Sequence, residues 1–272
     1  MADQSNTDVN MIDDYAPPRI AALIEGAGVK KANLPLLQTL TLALLAGAFI
    51  SFGAMFYTVV MTNHGLGFGP SRLLGGAAFS LGLILVVVGG SELFTGNNLI
   101  VMAWAEGKVS MAGLLKNWGL VYVGNFIGAV ATAYIALQAG LLDLGGGAVE
   151  KTAGAIAIGK VNIPFMEALF RGVLCNALVC MAVWISFAAR NVTGKVLTII
   201  FPISAFVALG FEHSVANMYF IPLAIFAGID GVTISGFIGN VIPVTIGNII
   251  GGSVFVALVY WVIYLRKTDQ GD

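Results

Sequence analysis

The chain has 272 residues and a formal net charge of −1, with 58% hydrophobic and only 10% charged residues, where a soluble domain carries roughly 25% charged. That balance excludes a soluble globular domain and leaves no basic surface for nucleic acid. Charge therefore informs through placement rather than sum.

Residues 1–15 are polar and acidic, without the basic and apolar succession of a removable signal peptide. Ala16 to Lys31 opens on Pro17-Pro18 and carries Ile20, Leu23 and Ile24 on one face. It reads as a short amphipathic helix, either lying at the membrane interface or packed against the protein. Taking ~20 apolar residues per crossing, six spans follow at about 36–60, 73–103, 115–142, 165–189, 196–226 and 238–265. The expected organisation is an N-terminal segment (1–34), one transmembrane domain (35–266) and a short tail (267–272). Cys175 and Cys180 lie within span four, where they suggest packing rather than a disulfide or metal set. No cofactor and no metal are implied.

Arg19, Lys30, Lys31, Lys108, Lys116, Arg190, Lys195, Arg266 and Lys267 fall on one side of this topology, against Arg72, Lys151 and Lys160 on the other. By the positive-inside rule both termini are cytoplasmic in a cell inner membrane, and 61–72, 143–164 and 227–237 are outward loops.

The chain repeats itself. Gly90, Glu92 and Asn97 recur 120 residues later as Gly210, Glu212 and Asn217, and Gly124-Asn125 recurs 123 residues later as Gly247-Asn248. Pro35 and Pro164 precede the first span of each copy. The halves, about 35–142 and 164–266, have three spans each, so the second enters from the opposite side. The fold class is all-α integral membrane, two inverted three-helix repeats with the path between them.

Spans two and five are too long for straight helices, and each carries its glycine, glutamate and asparagine inside an apolar run. They read as interrupted helices, with a simple kink at Gly90 and Gly210 as the alternative. A break at membrane depth is tolerated where it is buried or lines a wet path, and the helix that restarts there presents N–H groups and a positive dipole end. Glu92 and Glu212 are expected to accept N–H groups of the unwound segment, since an unpaired carboxylate there is costly. A direct part in proton or ion movement is the other reading. Asn97, Asn217, Asn125 and Asn248 read as polar glue. His213 breaks the symmetry, because Leu93 occupies its place in the first copy. A midplane histidine can donate to an anion and exchange a proton, whereas His64 reads as surface. Phe79, Leu83 and Phe206 are core by spacing, and gates if a pore runs between the halves.

The motifs FSLGLILVVVGGSELFTG (79–96), LCNALVCMAVW (174–184), GFEHSVANM (210–218) and IPVTIGNIIGG (242–252) resemble those of the formate/nitrite transporter family over almost the whole chain. The resemblance implies an aquaporin-like protomer with helices two and five broken. It also implies a homopentamer with one pore per protomer, and passage of formate or nitrite, with hydrosulfide, acetate or lactate in relatives; whether a proton from His213 accompanies the anion separates an anion channel from a proton-coupled carrier, and both readings stay open. It assigns Phe79, Leu83 and Phe206 to hydrophobic constrictions, Thr95 to the loop of the first break and His213 to the pore centre. Asn176 and Val179 become pore-lining, Lys160 a vestibule lysine, and Glu212 the carboxylate beside the histidine. Gly96-Asn97-Asn98 after Thr95 favours the formate branch. The short segment between span five and span six departs from relatives with a longer gating loop.

A water or glycerol channel would carry paired N-P-A signatures, where this chain has G-N-N and A-N-M. An intramembrane enzyme lacks any H-E-x-x-H or nucleophile motif among only two histidines.

Overall fold

Pro35 and Pro164 sit at the N-caps of the first long helix in each half, where proline's fixed φ suits the entering chain and its missing N–H leaves no helical bond unmade. The computed structural model describes residues 14–266. The acidic segment 1–13 and the tail 267–272 lie outside the described residues. Among those described, all regular structure is helical: α1 (Pro17–Ala32), α2 (Leu36–Val60), α3 (Phe68–Gly89), a 3₁₀ turn (Gly96–Ile100) running into α4 (Val101–Ala105), α5 (Met111–Gln138), a 3₁₀ turn (Leu141–Asp143) running into α6 (Leu144–Val161), α7 (Phe165–Ser186), α8 (Val192–Ala208), α9 (Ser214–Phe226), α10 (Ile234–Gly252), a π-helical turn (Ser253–Leu258) and α11 (Val259–Tyr264).

Residues 36–60, 68–89, 111–138, 165–186 and 234–264 are long and apolar enough to cross a bilayer. The shorter α8 and α9 stand in series where the fifth span was expected, consistent with six crossings. Few helix faces here are uniformly buried, and large apolar residues such as Leu37, Phe56, Phe170 and Phe201 point outward, as lipid or a neighbouring subunit requires.

The halves correspond element by element in order and packing. α2 packs on α5 and α7 packs on α10, while α3 crosses α8 between the halves. The two crossings depend on glycine at equivalent positions. A Cβ at Gly128 would lie 2.1 Å from the Leu44 carbonyl oxygen, and one at Gly251 would lie 2.1 Å from that of Val173. Such contacts force backbones apart, and overpacking costs about 1–3 kcal/mol. Gly128→Ala or Gly251→Ala is therefore expected to lower the thermal unfolding midpoint in detergent by several degrees.

One expectation needs correction, and one open alternative is decided. The segment 143–164 is not a loop: α6 occupies Leu144–Val161, with left-handed Gly145, Gly146 and Gly147 leading into its regular turns. It was masked by a small, weakly apolar stripe of Val149, Ala153 and Ala157. Of the two readings of the first helix, α1, its contacts show the packing one. Ile20, Ala21 and Ile24 are buried with Leu99 to Ala103 and Trp184, the Tyr15 N–H donates to the Ala188 carbonyl, and Lys108 Nζ pairs with Glu25 at 2.8 Å. α1 and α6 are thus counterparts, each preceding the long helix of its half.

Candidate functional site

Gly90 and Gly210 end α3 and α8 in the left-handed region, at φ 76° and 75°, a conformation open to glycine but strained for other residues. The chain is non-helical from 90 to 95 and from 209 to 213, so the helices are interrupted and not merely kinked. One hydrogen-bond set holds both breaks. Asn125 Nδ2 donates to the Ala43 and Glu92 carbonyls at 2.8 and 2.9 Å, and its Oδ1 accepts the Phe94 N–H at 2.8 Å. Asn248 repeats this with the Gly172 and Glu212 carbonyls (2.9 and 3.0 Å) and the Ser214 N–H (2.9 Å).

The carboxylates act differently from the expectation. Glu92 takes Lys31 Nζ at 2.7 Å and Asn97 Nδ2 at 2.7 Å. Glu212 takes Lys160 Nζ at 2.8 Å and Asn217 Nδ2 at 2.7 Å. Side chains, not backbone N–H groups, satisfy them, because a buried carboxylate is best offset by an opposite charge plus hydrogen bonds. Asn117 and Asn240 complete each cluster, accepting from Asn97 at 3.0 Å and Asn217 at 2.6 Å and donating to the Lys31 and Lys160 carbonyls at 3.1 and 2.9 Å. The copies differ around the lysine and the second asparagine. Lys31 also donates to Asn97 Oδ1 at 3.1 Å, whereas Asn217 Oδ1 has no partner and Lys160 lies 5.4 Å from the Phe220 ring.

Two cavities reach inward to the breaks. The one on the face that carries α1 holds about 420 Å³ and is bordered by Lys31, Leu42, Leu83, Gly90, Glu92, Leu93 and Gly96. The one on the opposite face holds about 270 Å³ and is bordered by Lys160, Arg171, Phe79, Phe206, Gly210, Glu212, His213 and Ala216. They share no lining residue. Lys31, Leu42, Gly90, Glu92, Leu93 and Gly96 correspond in repeat register to Lys160, Arg171, Gly210, Glu212, His213 and Ala216, so this is one cavity built twice.

Between the cavities lie the two residues that break the symmetry. Thr95 Oγ1 is 2.9 Å from His213 Nε2, with Thr95 fully buried and His213 nearly so. The first break supplies the hydroxyl and the second the imidazole. His213 is also the N-cap of α9: its Nδ1 accepts the Ala216 N–H at 3.1 Å. A nitrogen that accepts from an N–H carries no proton, which assigns the neutral ring's hydrogen to Nε2, facing Thr95. Phe206 stacks on His213 with centroids 6.1 Å apart and meets Phe79 edge to face at 5.6 Å. Tyr57 packs edge to face on Phe79 and Phe220. Aromatic side chains thus close the floor of one cavity and Leu83 borders the other.

This doubled, interrupted architecture agrees with the sequence comparison: residues 18–262 match the family model described as formate/nitrite transporter. The chain belongs to the formate/nitrite transporter family. It is similar to the uncharacterized transporter YrhG of Bacillus subtilis (strain 168), with 47% identity over 92% of this chain and 94% of the relative. It is 42% identical to the formate channel FocA of Escherichia coli (strain K12), over 96% and 98% of the two chains. Among solved structures, a pentameric formate channel with formate bound aligns with a TM-score of 0.80 at 43% identity, covering 85% of this chain and 98% of that one. An ion channel of the same family aligns with a TM-score of 0.82 at 29% identity, covering 90% and 98%.

For a formate/nitrite transporter family member, the placement of the remaining expected site residues is specific. Asn176 and Val179 are buried and border neither cavity. The Asn176 amide is committed to the Thr95 carbonyl at 3.2 Å, Asn98 Oδ1 at 2.8 Å and the Asn248 carbonyl at 2.7 Å. Cys180 Sγ contacts the same Thr95 carbonyl at 3.3 Å, and both cysteines are free and buried. His64 accepts from the Leu66 N–H at 3.2 Å beside the start of α3. Sequence reasoning missed Lys31, Asn117, Asn240, Tyr57, Arg72 and Arg171. The 129-residue offset of Pro35 and Pro164 would have found Lys31, and the 123-residue offset of Asn125 and Asn248 would have found Asn117 and Asn240.

Proposed function

We propose that this protein is a transmembrane channel for small monovalent weak-acid anions, formate foremost, with proton transfer at His213. The observation that carries the reading is the buried contact of His213 Nε2 with Thr95 Oγ1, 2.9 Å long, placed between two cavities that end on opposite sides of it. The likeness to formate channels, one of them a pentamer with formate bound, supports formate as the substrate and a homopentamer with one path per protomer. In this reading the membrane is the plasma membrane and both termini are cytoplasmic, supported by the lysine and arginine bias of that face.

An anion entering the 270 Å³ cavity meets Lys160, which keeps N–H donors beyond its bond to Glu212. Stripping water from a bare anion at the Phe79 and Phe206 floor is costly, so a neutral acid passes more readily. Neutral His213 donates a hydrogen bond from Nε2. To give up that proton the ring must first gain one at Nδ1, which opens the Ala216 cap. Proton loading and the start of α9 are therefore coupled. The imidazolium then transfers its Nε2 proton to the carboxylate, leaving a neutral ring and a neutral acid. Thr95 holds the Nε2 position, and Asn176 fixes the Thr95 carbonyl.

Labelled-formate flux into proteoliposomes is expected to rise on acidification and to move little net charge. A large pH-independent formate current would overturn proton coupling, and absent formate flux with brisk nitrite or hydrosulfide flux would overturn the substrate.

A further inference from the structure

The asymmetry that singles out His213 and Thr95 singles out one more residue. The Glu92 N–H donates to the Leu42 carbonyl at 3.2 Å, and the Glu212 N–H donates to the Arg171 carbonyl at 3.3 Å. Leu42 and Arg171 are therefore equivalent in the two repeats, each bordering the cavity of its own half. The backbone does the same work twice, and only the side chain differs. Nothing in holding the break requires an arginine there, since leucine serves in the first copy.

The Arg171 guanidinium reaches the break itself. Its Nη1 donates to the Gly210 carbonyl at 3.2 Å, and its other terminal nitrogen pairs with Glu167, which does not border the cavity. Arg72 approaches the same point from α3, its Nε and Nη2 each 2.9 Å from the Ala208 and Val207 carbonyls. A Cβ on Gly210 would lie 3.0 Å from Arg72 Nη2 and 3.9 Å from Arg171 Nη1. Two guanidiniums thus converge where glycine leaves room. The C-terminus of α8 carries the negative end of its dipole and would repel an anion, and the two arginines reverse that sign. Each has five N–H donors and spends two on these bonds. The facing groups are Lys160, paired with Glu212, and the hydroxyl-bearing Tyr57. The other cavity has Lys30 and Lys31 but no arginine, and an ammonium lacks the planar fork that matches a carboxylate.

We infer that Arg171, with Arg72, forms a docking site for a small monocarboxylate in the 270 Å³ cavity, one step outside the Phe79 and Phe206 floor. It rests on the proposed function and adds where the anion pauses before desolvation. Charged clefts of this kind raise association rates about 10- to 1,000-fold and lose that gain with salt.

The test uses the full-length protein in vesicles of each orientation, with initial formate flux measured against concentration and ionic strength. Arg171→Gln keeps an N–H donor for the Gly210 carbonyl and removes the charge. It is expected to raise the half-saturating formate concentration about tenfold from the Arg171 side only and to flatten the salt dependence there. Arg171→Lys is expected to restore the salt dependence. A thermal unfolding scan confirms that each variant is folded, and Arg171→Leu, matching the first repeat, serves if Gln is not. Wild-type half-saturation and salt response in a folded, charge-free variant would overturn the docking site while leaving formate conduction intact. A wild-type protein that carries no formate would instead overturn the functional reading beneath it.

Discussion

His213→Asn is expected to leave the protein folded and to cut acid-stimulated formate flux by about 10²-fold, the lower range for a positioned proton donor. Asparagine is a strong N-cap residue, so its side chain replaces Nδ1 as acceptor of the Ala216 N–H and the start of α9 is kept. What it cannot replace is a titratable nitrogen 2.9 Å from Thr95 Oγ1. The loss should therefore fall on the pH response rather than on stability, and measuring flux between pH 5 and 8 beside a thermal unfolding curve separates the two. Thr95→Val, which installs the Val215 of the other repeat, is the milder companion. It removes the hydroxyl and keeps the shape, so flux should fall less and the pH dependence should persist. A His213→Asn protein with unchanged flux and pH profile would remove the histidine from the mechanism.

How far the sequence carried this follows from where polar residues stand out. A glutamate, an asparagine or a histidine inside an apolar run is conspicuous because lipid offers it no partner. Glu92, Glu212, Asn97, Asn217 and His213 were therefore readable, and their 120-residue offset carried the inverted repeat with it. Their partners were not. Lys31 sits on a helix with ordinary surface composition, and only folding lays it 2.7 Å from Glu92. α6 was hidden because Gly145 to Gly147 and an alanine-rich stripe give weak helical and weak apolar signals, although it is the counterpart of α1. Arg171 stands within span four, where the sequence alone shows only a charge in an apolar run. Its meaning appears only when its carbonyl and that of Leu42 are seen to do one job. Periodicity reports which face is buried, but long-range pairing of two charges leaves no periodic trace.

The paired charges make the second large prediction. Lys160 and Glu212 meet at 2.8 Å with side chains 15% and 5% exposed, so removing one partner strands the other. Lys160→Met leaves a buried carboxylate held only by Asn217 and, at 3.4 Å, Asn240. Breaking a buried pair in this way costs about 3–5 kcal/mol, and the variant should unfold well below wild type or fail to accumulate. Replacing both at once, Lys160→Met with Glu212→Gln, removes the charges together. A buried pair returns little net stability over its desolvation cost, so the double variant should recover most of the loss. Flux should not recover with it, because Lys160 also borders the anion cavity. The same exchange at Lys31 and Glu92 should show the same coupling more weakly, since the Lys31 side chain is 32% exposed and water screens it. Additive rather than compensating losses in the Lys160 and Glu212 cycle would mean that the two side chains hold the break independently. The repeat would then be a duplicated backbone with no shared electrostatic lock.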